Sequence, residues 1–242
     1  MRVNLQPCFV LHSRPYRDTS AIVEIFTAEH GRLSAVARGV RRQGKKGGRS
    51  GLLQPFVPLL VSLSGRTELK TLGAVESAGP PLALGGESMF SGMYLNELLV
   101  RLLHRHDPHP ELFAAYSDAL RALAGAGAPD PVLRPFELFL LQELGYNLVL
   151  DVDGGTGAAL APQQRYRFHP EQGLVAVTGD VPRGVGTYPG ADLLLLAKGD
   201  FEGTARTTAK RLLREVLRYH LGDAPLRSRE LFRAGTGKSA RA

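Results

Sequence analysis

The sequence predicts an α+β protein organised in three successive parts along its 242 residues. Short segments rich in Val, Ile, Leu and Phe, separated by turn-forming residues, occupy residues 1–80 and indicate β-strands. Through residues 81–150 the apolar residues recur at three- and four-residue steps, which is the helical period. Residues 151–242 begin with a stretch rich in Gly and Pro and end with an amphipathic helix. We therefore expect an N-terminal β-barrel, a central helical domain and a small C-terminal α/β region.

Five strands are expected in the first part, at residues 8–11, 21–26, 33–37, 56–63 and 68–74. The second of them is too apolar for a clean alternation of inward and outward residues, which favours a strand covered on both faces. Five short strands in about 80 residues suit a small closed or partly open barrel. An OB-fold is the barrel that we favour, although the same pattern is compatible with other small barrels.

Three helices are expected in the central part. The first begins near Ser88, and the second runs from about Pro110 to a stop at Gly125. The third begins at Asp130, whose position before a proline is typical of a helix start, and ends at Gly145. Helices joined by such short loops pack as a small bundle.

The last part is less regular. A hairpin is expected at residues 166–169 and 174–177, followed by a short helix at 191–197 and a long helix at 203–220.

Positive charge is concentrated at the two ends of the chain, whose net charge is +7. Residues 1–80 carry 12 Lys and Arg against 5 Asp and Glu, and residues 201–242 carry 10 against 4. Residues 81–150, in contrast, carry 4 against 8. This segregation favours surfaces that bind a polyanion. Nucleic acid is the partner that we favour, and an anionic membrane surface or plain solvation are the alternatives.

Several classes of protein do not fit the composition. No apolar run approaches the length of about 18 residues that a membrane span needs. The N-terminal residues do not resemble a secretory signal, and a single cysteine excludes an internal disulfide framework and a multi-cysteine zinc site. These observations favour the cytoplasm.

The densest cationic segment lies at residues 38–49, where six of twelve residues are Lys or Arg and four are Gly. Glycine leaves the backbone mobile, so the charges can follow an irregular phosphate chain. The alternative is a solvated loop without a ligand. We expect DNA contacts from Arg38, Arg41, Arg42, Lys45, Lys46 and Arg49.

A second cationic surface is expected on the C-terminal helix, where four cations are spaced by four residues and form a stripe. Like charges at this spacing repel each other, which is explained if a polyanion binds there. The alternative is an ordinary exposed face that nearby glutamates compensate. The four expected DNA contacts are Arg206, Lys210, Arg214 and Arg218.

Three patterns resemble chemical sites without meeting their requirements. Residues 235–239 imitate the end of a phosphate-binding loop, but Phe232 stands where the first glycine is needed. The three histidines of segment 104–109 lack a matching second cluster of metal ligands. Cys8 lies in an apolar strand and is most simply a buried core residue. We therefore expect no catalytic residue, no metal and no cofactor.

Several segments, in order along nearly the whole chain, resemble the RecO family of DNA-repair proteins. They are FVLHSRPY at 9–16, FTAEHGRL at 26–33, LQPFVPL at 53–59, YLNEL at 94–98, RPFEL at 134–138, LGY at 144–146 and LRSRELF at 226–232.

This resemblance implies an OB-fold at 1–80, a helical domain at 81–150 and a C-terminal region at 151–242 that many members build around four zinc-binding cysteines. Residues 147–180 contain no cysteine. The chain thus resembles a zinc-free branch of the family, and its C-terminal region is expected to resemble a zinc-finger-like domain without the metal.

The resemblance also implies a function that needs no catalysis. Such proteins bind single- and double-stranded DNA, anneal complementary strands and, with RecR, help to load RecA onto DNA coated with single-stranded-DNA-binding protein (SSB). We accordingly expect a non-enzymatic, nucleoid-associated protein. A general RNA-binding OB protein and a nucleic-acid-processing enzyme are the alternatives.

Members of the family bind the acidic, hydrophobic-ended tail of SSB on the helical domain. By analogy we expect Arg134 to bind a carboxylate of the tail, with Leu98, Leu138 and Tyr146 as its apolar neighbours. The alternative is that Arg134 pairs locally with Glu137 or Asp130.

Overall fold

The structure is a computed structural model that describes residues 2–40, 49–125, 127–146, 148–179, 185–222, 224–228 and 230, with only the backbone of 49 and 50. The chain divides into two compact units, residues 1–127 with 225–242 and residues 128–224. The three-domain division expected from the sequence stays a prediction.

The first unit begins with a closed barrel of five strands in the order β1-β2-β3-β5-β4. All neighbouring strands are antiparallel except β3 and β5, which run parallel. This OB-like barrel confirms the predicted fold class. Its elements are β1 (Arg2–Tyr16), β2 (Ser20–Thr27), β3 (Gly31–Ala37), the short helix α1 (Arg49–Leu52), β4 (Leu59–Ser64) and β5 (Leu69–Ser77).

Alternate residues of the strands fill the barrel, as the period of two requires. Val10, Val23, Ile25, Leu33 and Ala35 are completely buried in its core. The first strand is much longer than predicted, and its register shifts between Val10 and His12. The fourth begins three residues later than predicted, at Leu59.

Two helices, α2 (Gly86–Leu102) and α3 (Pro110–Ala124), complete this unit. The rings of Phe9 on β1 and Phe26 on β2 lie 5.3–6.2 Å from those of Phe113 and Tyr116 on α3. The outer faces of β1 and β2 are therefore packed against protein. This arrangement confirms that the second strand is covered on both faces.

Asn96 of α2 joins the barrel to both helices. Its side-chain amide donates a hydrogen bond to the carbonyl oxygen of Leu11 at 3.0 Å, and its Oδ1 accepts one from the Tyr116 hydroxyl at 2.5 Å. Each of these polar groups is buried, and a buried group without a partner costs about 1–3 kcal/mol. Burial also raises the pKa of Tyr116, so the hydroxyl stays protonated and remains a donor.

The segment after α2 lies along the beginning of β3. The Arg32 guanidinium donates from Nε to the carbonyl oxygen of Leu103 at 3.1 Å, and the backbone N–H of His106 donates to the carbonyl oxygen of Arg32 at 3.0 Å. Gly31 has a φ of +64°, and a Cβ atom there would lie 1.9 Å from the carbonyl oxygen of Asp107. Only glycine permits this approach of the two backbones.

The carboxylate of Glu97 binds the C-terminal segment of the unit. It accepts hydrogen bonds from the backbone N–H groups of Arg227 (2.9 Å) and Ser228 (2.8 Å) and from the Ser228 hydroxyl (2.7 Å). Two of the segments that carry the family resemblance, at 94–98 and 226–232, thus meet in space although 130 residues separate Glu97 from Arg227.

The second unit combines helices with a three-stranded antiparallel sheet in the order β7-β6-β8. The predicted hairpin and both predicted helices are confirmed with small shifts of their ends. The elements are α4 (Asp130–Glu143), β6 (Arg165–His169), β7 (Gly173–Ala176), β8 (Tyr188–Pro189), α5 (Gly190–Ala197) and α6 (Gly203–Leu221).

Two buried aspartates form hydrogen bonds that order this unit. Asp153 accepts a hydrogen bond at Oδ1 from the N–H of Gly155 at 2.8 Å, which closes a tight turn. Asp192 at the start of α5 accepts hydrogen bonds from the hydroxyls of Thr204 (2.7 Å) and Thr208 (2.6 Å) on α6. Within the described ranges no group of three or more His, Cys, Asp or Glu side chains could hold a metal ion. None of the helices described there is both long and apolar enough to span a membrane.

The attachment of the C-terminal segment should depend on pH through Glu97. Burial opposes ionisation of this carboxyl group, but the hydrogen bonds from Ser228 and Arg227 and the charge of Arg101 outweigh burial and lower its pKa. A lowered pKa stabilises the attached state above the ordinary pKa of the group, and this contribution is lost as the pH falls through the lowered value.

We therefore expect Glu97→Gln to weaken the attachment by about 1.5–3 kcal/mol at neutral pH, and by much less in acid, where wild-type Glu97 is also neutral. Amide hydrogen exchange at Ser228 measures the attachment. Glu87→Gln, an exposed change on the same helix, is the control. A constant difference between Glu97→Gln and wild type at all pH values would contradict this account.

Candidate nucleic-acid interface

One end of the barrel carries three exposed arginines, one near the end of β1, one in the β1–β2 turn and one directly after β3. The strand register places Pro15 opposite Ala21 and Ala21 opposite Ala37, so the β1–β2 turn and the end of β3 lie at the same end of the barrel. The exposed residues Arg14, Arg17 and Arg38 lie there, and the cationic segment 38–49 leaves the barrel from this end. We call these three arginines the barrel-end cluster.

The sequence predicted Arg38 as a DNA contact, but it did not predict Arg14 or Arg17. They are isolated cations in the sequence, and only strand pairing brings them beside the cationic segment. The Arg17 guanidinium lies 5.1 Å from the centroid of the Tyr16 ring, an arrangement typical of a cation–π contact. None of the three arginines forms an ion pair with a described residue.

Most of the predicted loop contacts lie outside the described residues. This holds for Arg41, Arg42, Lys45 and Lys46, while the backbone of Arg49 begins α1. Arg38 is described, and its side chain is exposed as predicted.

Two other arginines, one on β3 and one after α2, already have a carboxylate partner. Glu24 on β2 accepts hydrogen bonds from Arg32 at 3.2 Å and from Arg105 at 3.3 Å, and it also accepts one from the Ser34 hydroxyl. Burial lowers the pKa of Arg32, although the charge of Glu24 opposes this shift. These two arginines therefore hold the segment after α2 against the barrel and are not free to bind phosphate.

The predicted stripe on α6 divides into two halves. In the first half, Arg206 pairs with Glu202, and Nζ of Lys210 lies 2.9 Å from a carboxylate oxygen of Asp130. Arg214 and Arg218 in the second half are exposed, and no described residue forms an ion pair with either. The second half is thus available to an anionic ligand.

The one carboxylate of α6 is engaged elsewhere. Glu215 accepts a hydrogen bond from the hydroxyl of Tyr188, and the Arg211 guanidinium lies 5.6 Å from the centre of the same ring. Burial, together with the hydrogen bond to Glu215, raises the pKa of Tyr188, so its hydroxyl remains a donor.

Arg134 is nearly buried, with only 9% of its side chain exposed. Its Nη1 lies 2.5 Å from Oε2 of Glu137, and its Nη2 lies 3.5 Å from Oδ1 of Asp130. Its Nε has no hydrogen-bond partner among the described residues. The local pairing considered from the sequence is therefore confirmed, while a role in binding the SSB tail stays a prediction.

The other expected tail contacts differ in accessibility. Leu98 is completely buried in the first unit. Leu138 lines a cavity of about 290 Å³ in the second unit, together with the apolar residues Leu148, Leu150, Leu196 and Ala197. Tyr146 follows Gly145, which also lines the cavity, and its ring stacks on His220 at a centroid distance of 3.7 Å. Val149, another lining residue, is 48% exposed.

The predicted burial of Cys8 is confirmed. Cys8 is almost completely buried, and burial raises the pKa of its thiol well above the usual value. His109 lies 3.4 Å from Asp107, and neither belongs to a group that could hold a metal ion.

Comparisons with known proteins agree over nearly the whole chain. Residues 1–81 match the family model described as recombination protein O N terminal, and residues 85–230 match recombination protein O C terminal. A protein named DNA repair protein RecO from Pseudomonas paraeruginosa is 50% identical over 228 residues, which cover 94% of each chain. A protein of the same name from Nitrosococcus oceani is 48% identical over 232 residues, 96% of this chain and 93% of the relative. Another, from Nitrosospira multiformis, is 44% identical over 234 residues, 96% of both.

The ion pair between Arg134 and Glu137 should matter for stability. The Glu137 side chain is completely buried, so Arg134→Ala removes the neighbouring positive charge from a carboxylate that water does not reach. We expect a loss of about 3–5 kcal/mol in the free energy of unfolding, measured by urea denaturation. Replacing both residues by leucine should recover most of this loss, because no buried charge remains. Equal stability of Arg134→Ala and wild type would contradict this role.

Proposed function

This chain belongs to the recombination protein O family of DNA repair proteins, and from that membership we propose that it is a non-enzymatic recombination mediator. In this proposal it binds single- and double-stranded DNA and anneals complementary strands. Together with RecR it helps to load RecA onto SSB-coated DNA in the nucleoid. The observation that supports this best is the presence of exposed arginines without ion-pair partners on each of the two units.

Binding is proposed to act through the phosphate backbone. The barrel-end cluster and the second half of the α6 stripe present positive charge, and no described feature reads base edges in a groove. Each phosphate that a cation neutralises releases condensed counterions, which makes such binding strongly dependent on salt. The same surfaces then bind single strands and duplexes of any sequence.

Annealing follows from the same charges. Two complementary strands repel each other through their phosphates, and cations that contact both backbones lower this repulsion. Base pairing then selects the correct partner, so the protein has no need to recognise sequence. The process requires neither a nucleotide nor a metal in this proposal.

The second unit is proposed to hold the acidic, hydrophobic-ended tail of SSB. The cavity beside Leu138 offers apolar walls for the end of the tail, with Tyr146 next to it. Arg134 is the proposed partner of a tail carboxylate, supported by its Nε, which lacks an acceptor. Tail binding would bring the protein to coated DNA, where RecR and RecA act.

Two other functions remain distinguishable by experiment. A general RNA-binding protein would prefer RNA to DNA under one salt condition, and a nucleic-acid-processing enzyme would change its substrate covalently in the presence of a metal or nucleotide. Family membership favours the mediator over both.

Annealing of complementary oligonucleotides, bare or SSB-coated and without nucleotide or metal, tests the proposal. We expect wild type to accelerate the reaction on both substrates. Replacement of Arg41, Arg42, Lys45 and Lys46 by alanine should weaken DNA binding. The slope of log affinity against log salt concentration should become less steep by about one unit for each phosphate contact that is lost. The double change Arg14→Ala with Arg17→Ala should have effects in the same direction.

Arg121→Ala serves as a matched control, because this exposed arginine pairs with Asp118 at 2.7 Å. It should anneal as wild type does. Binding by wild type without any acceleration of annealing would reject the annealing mechanism and leave a DNA-binding adaptor.

Binding of a synthetic SSB tail peptide tests the second site. Val149→Glu places a negative charge at the cavity and should weaken binding of the acidic peptide, while Val149→Lys should strengthen it. Arg134→Ala should weaken it by about 1.5–3 kcal/mol in conditions where the variant remains folded. Isothermal calorimetry measures all three.

Met89→Glu makes a comparable change at an exposed apolar residue of α2 and is the control. If the peptide binds all variants as it binds wild type, the tail site lies elsewhere.

A further inference from the structure

Tyr219 is unusually exposed for a large aromatic residue. It lies in the last turn of α6 directly after Arg218, and 56% of its surface is accessible to solvent. Its hydroxyl forms no hydrogen bond with a described residue. Burial of the ring therefore contributes little to the stability of the unit, so packing does not explain the position of this side chain.

The ring is nevertheless held in place by two other rings. Phe168 on β6 meets it at a centroid distance of 6.5 Å and an interplanar angle of 71°, and His220 meets it at 5.2 Å and 83°. His220 is itself stacked on Tyr146. Both contacts of Tyr219 are edge-to-face, a favourable arrangement for aromatic pairs, and the rest of the ring remains open to solvent.

Two exposed arginines precede Tyr219 on α6. Arg218 precedes it, and Arg214 lies one turn earlier, about 6 Å along the helix axis. Neither arginine has an ion-pair partner among the described residues, and Glu215 is engaged by Tyr188. Arg218 lies on the adjacent face of the helix, about 100° from Tyr219, and Arg214 lies further round. An exposed aromatic ring with a free cation on the adjacent face suits single-stranded nucleic acid, in which a base and its phosphate are contacted by different side chains.

We propose that Tyr219 stacks on an unpaired base of single-stranded DNA while Arg218, on the adjacent face of α6, contacts a neighbouring phosphate. This inference rests on the proposed function and extends it. It assigns the discrimination between single-stranded and duplex DNA to one residue. Bases in a duplex are stacked on each other and expose no face inside the helix. The ring therefore adds affinity for single strands alone, whereas the arginines contribute to both forms.

The test compares binding of an oligo(dT) single strand with binding of a duplex of equal length at one salt concentration. Tyr219→Leu should weaken single-strand binding roughly 5- to 100-fold and duplex binding less than about twofold. Tyr219→Phe should remain close to wild type. The chain contains no tryptophan, so Tyr219→Trp keeps an aromatic ring and adds one fluorophore, whose emission oligo(dT) should quench.

The salt dependence separates stacking from charge. Tyr219→Leu should leave the slope of affinity against salt unchanged, because stacking releases no counterions, while Arg218→Ala should lower it by about one unit. The melting temperature of Tyr219→Leu should match that of wild type.

The outcomes distinguish this inference from the proposed function. Failure of wild type to bind either form of DNA would reject the proposed function itself. If wild type binds both forms and Tyr219→Leu binds them equally well, the stacking site is wrong while the proposed function stands. An equal loss on single strand and duplex would also overturn the stacking site.

Discussion

The side-chain amide of Asn96 is the contact on which the first unit depends. It binds the backbone of β1 and the hydroxyl of Tyr116 at once, so the barrel, α2 and α3 share one buried polar connection. The aromatic layer around Phe9 and Phe26 can form only with the helices in this position. As a consequence the outer face of β1 and β2 around these rings is covered, and a ligand of the barrel must use another part of its surface. The next residue, Glu97, extends the same connection to the C-terminal segment.

Several cations of this chain form ion pairs within the protein, whereas others have no ion-pair partner among the described residues. Arg32 and Arg105 surround Glu24, Arg134 neutralises Glu137, and Lys210 binds Asp130. For Asp130, burial would raise the pKa of the carboxyl group, but the hydrogen bond from Lys210 and the charges of Arg134, Lys210 and Arg206 outweigh burial and lower it. Among the described residues, the exposed arginines without an ion-pair partner include the barrel-end cluster and Arg214 and Arg218 of α6. The net charge of +7 therefore indicates the class of partner, while the ion pairs show which described cations already have a carboxylate partner.

Two buried aspartates order the second unit through hydrogen bonds. Asp153 closes its turn through its own side chain, and Asp192 ties α5 to α6 through two threonine hydroxyls. The acceptors of both buried side chains are thus satisfied by donors within the same unit.

The sequence by itself determined the elements of this protein and its family. Most of the strands, the five longer helices, the stop at Gly145 and the hairpin of β6 and β7 follow from local periodicity and turn residues, which depend only on near neighbours in the chain. The full length of β1, the short helix α1 and the strand β8 do not. Tertiary structure alone decided which of these side chains are exposed and which are paired. Arg14 and Arg17 join Arg38 through strand register, Arg134 pairs with Glu137 and Asp130, and Tyr219 stays exposed in the last turn of α6. The physical reason is that exposure and ion pairing arise between groups far apart in sequence, such as Asn96 and Leu11 at a separation of 85 residues.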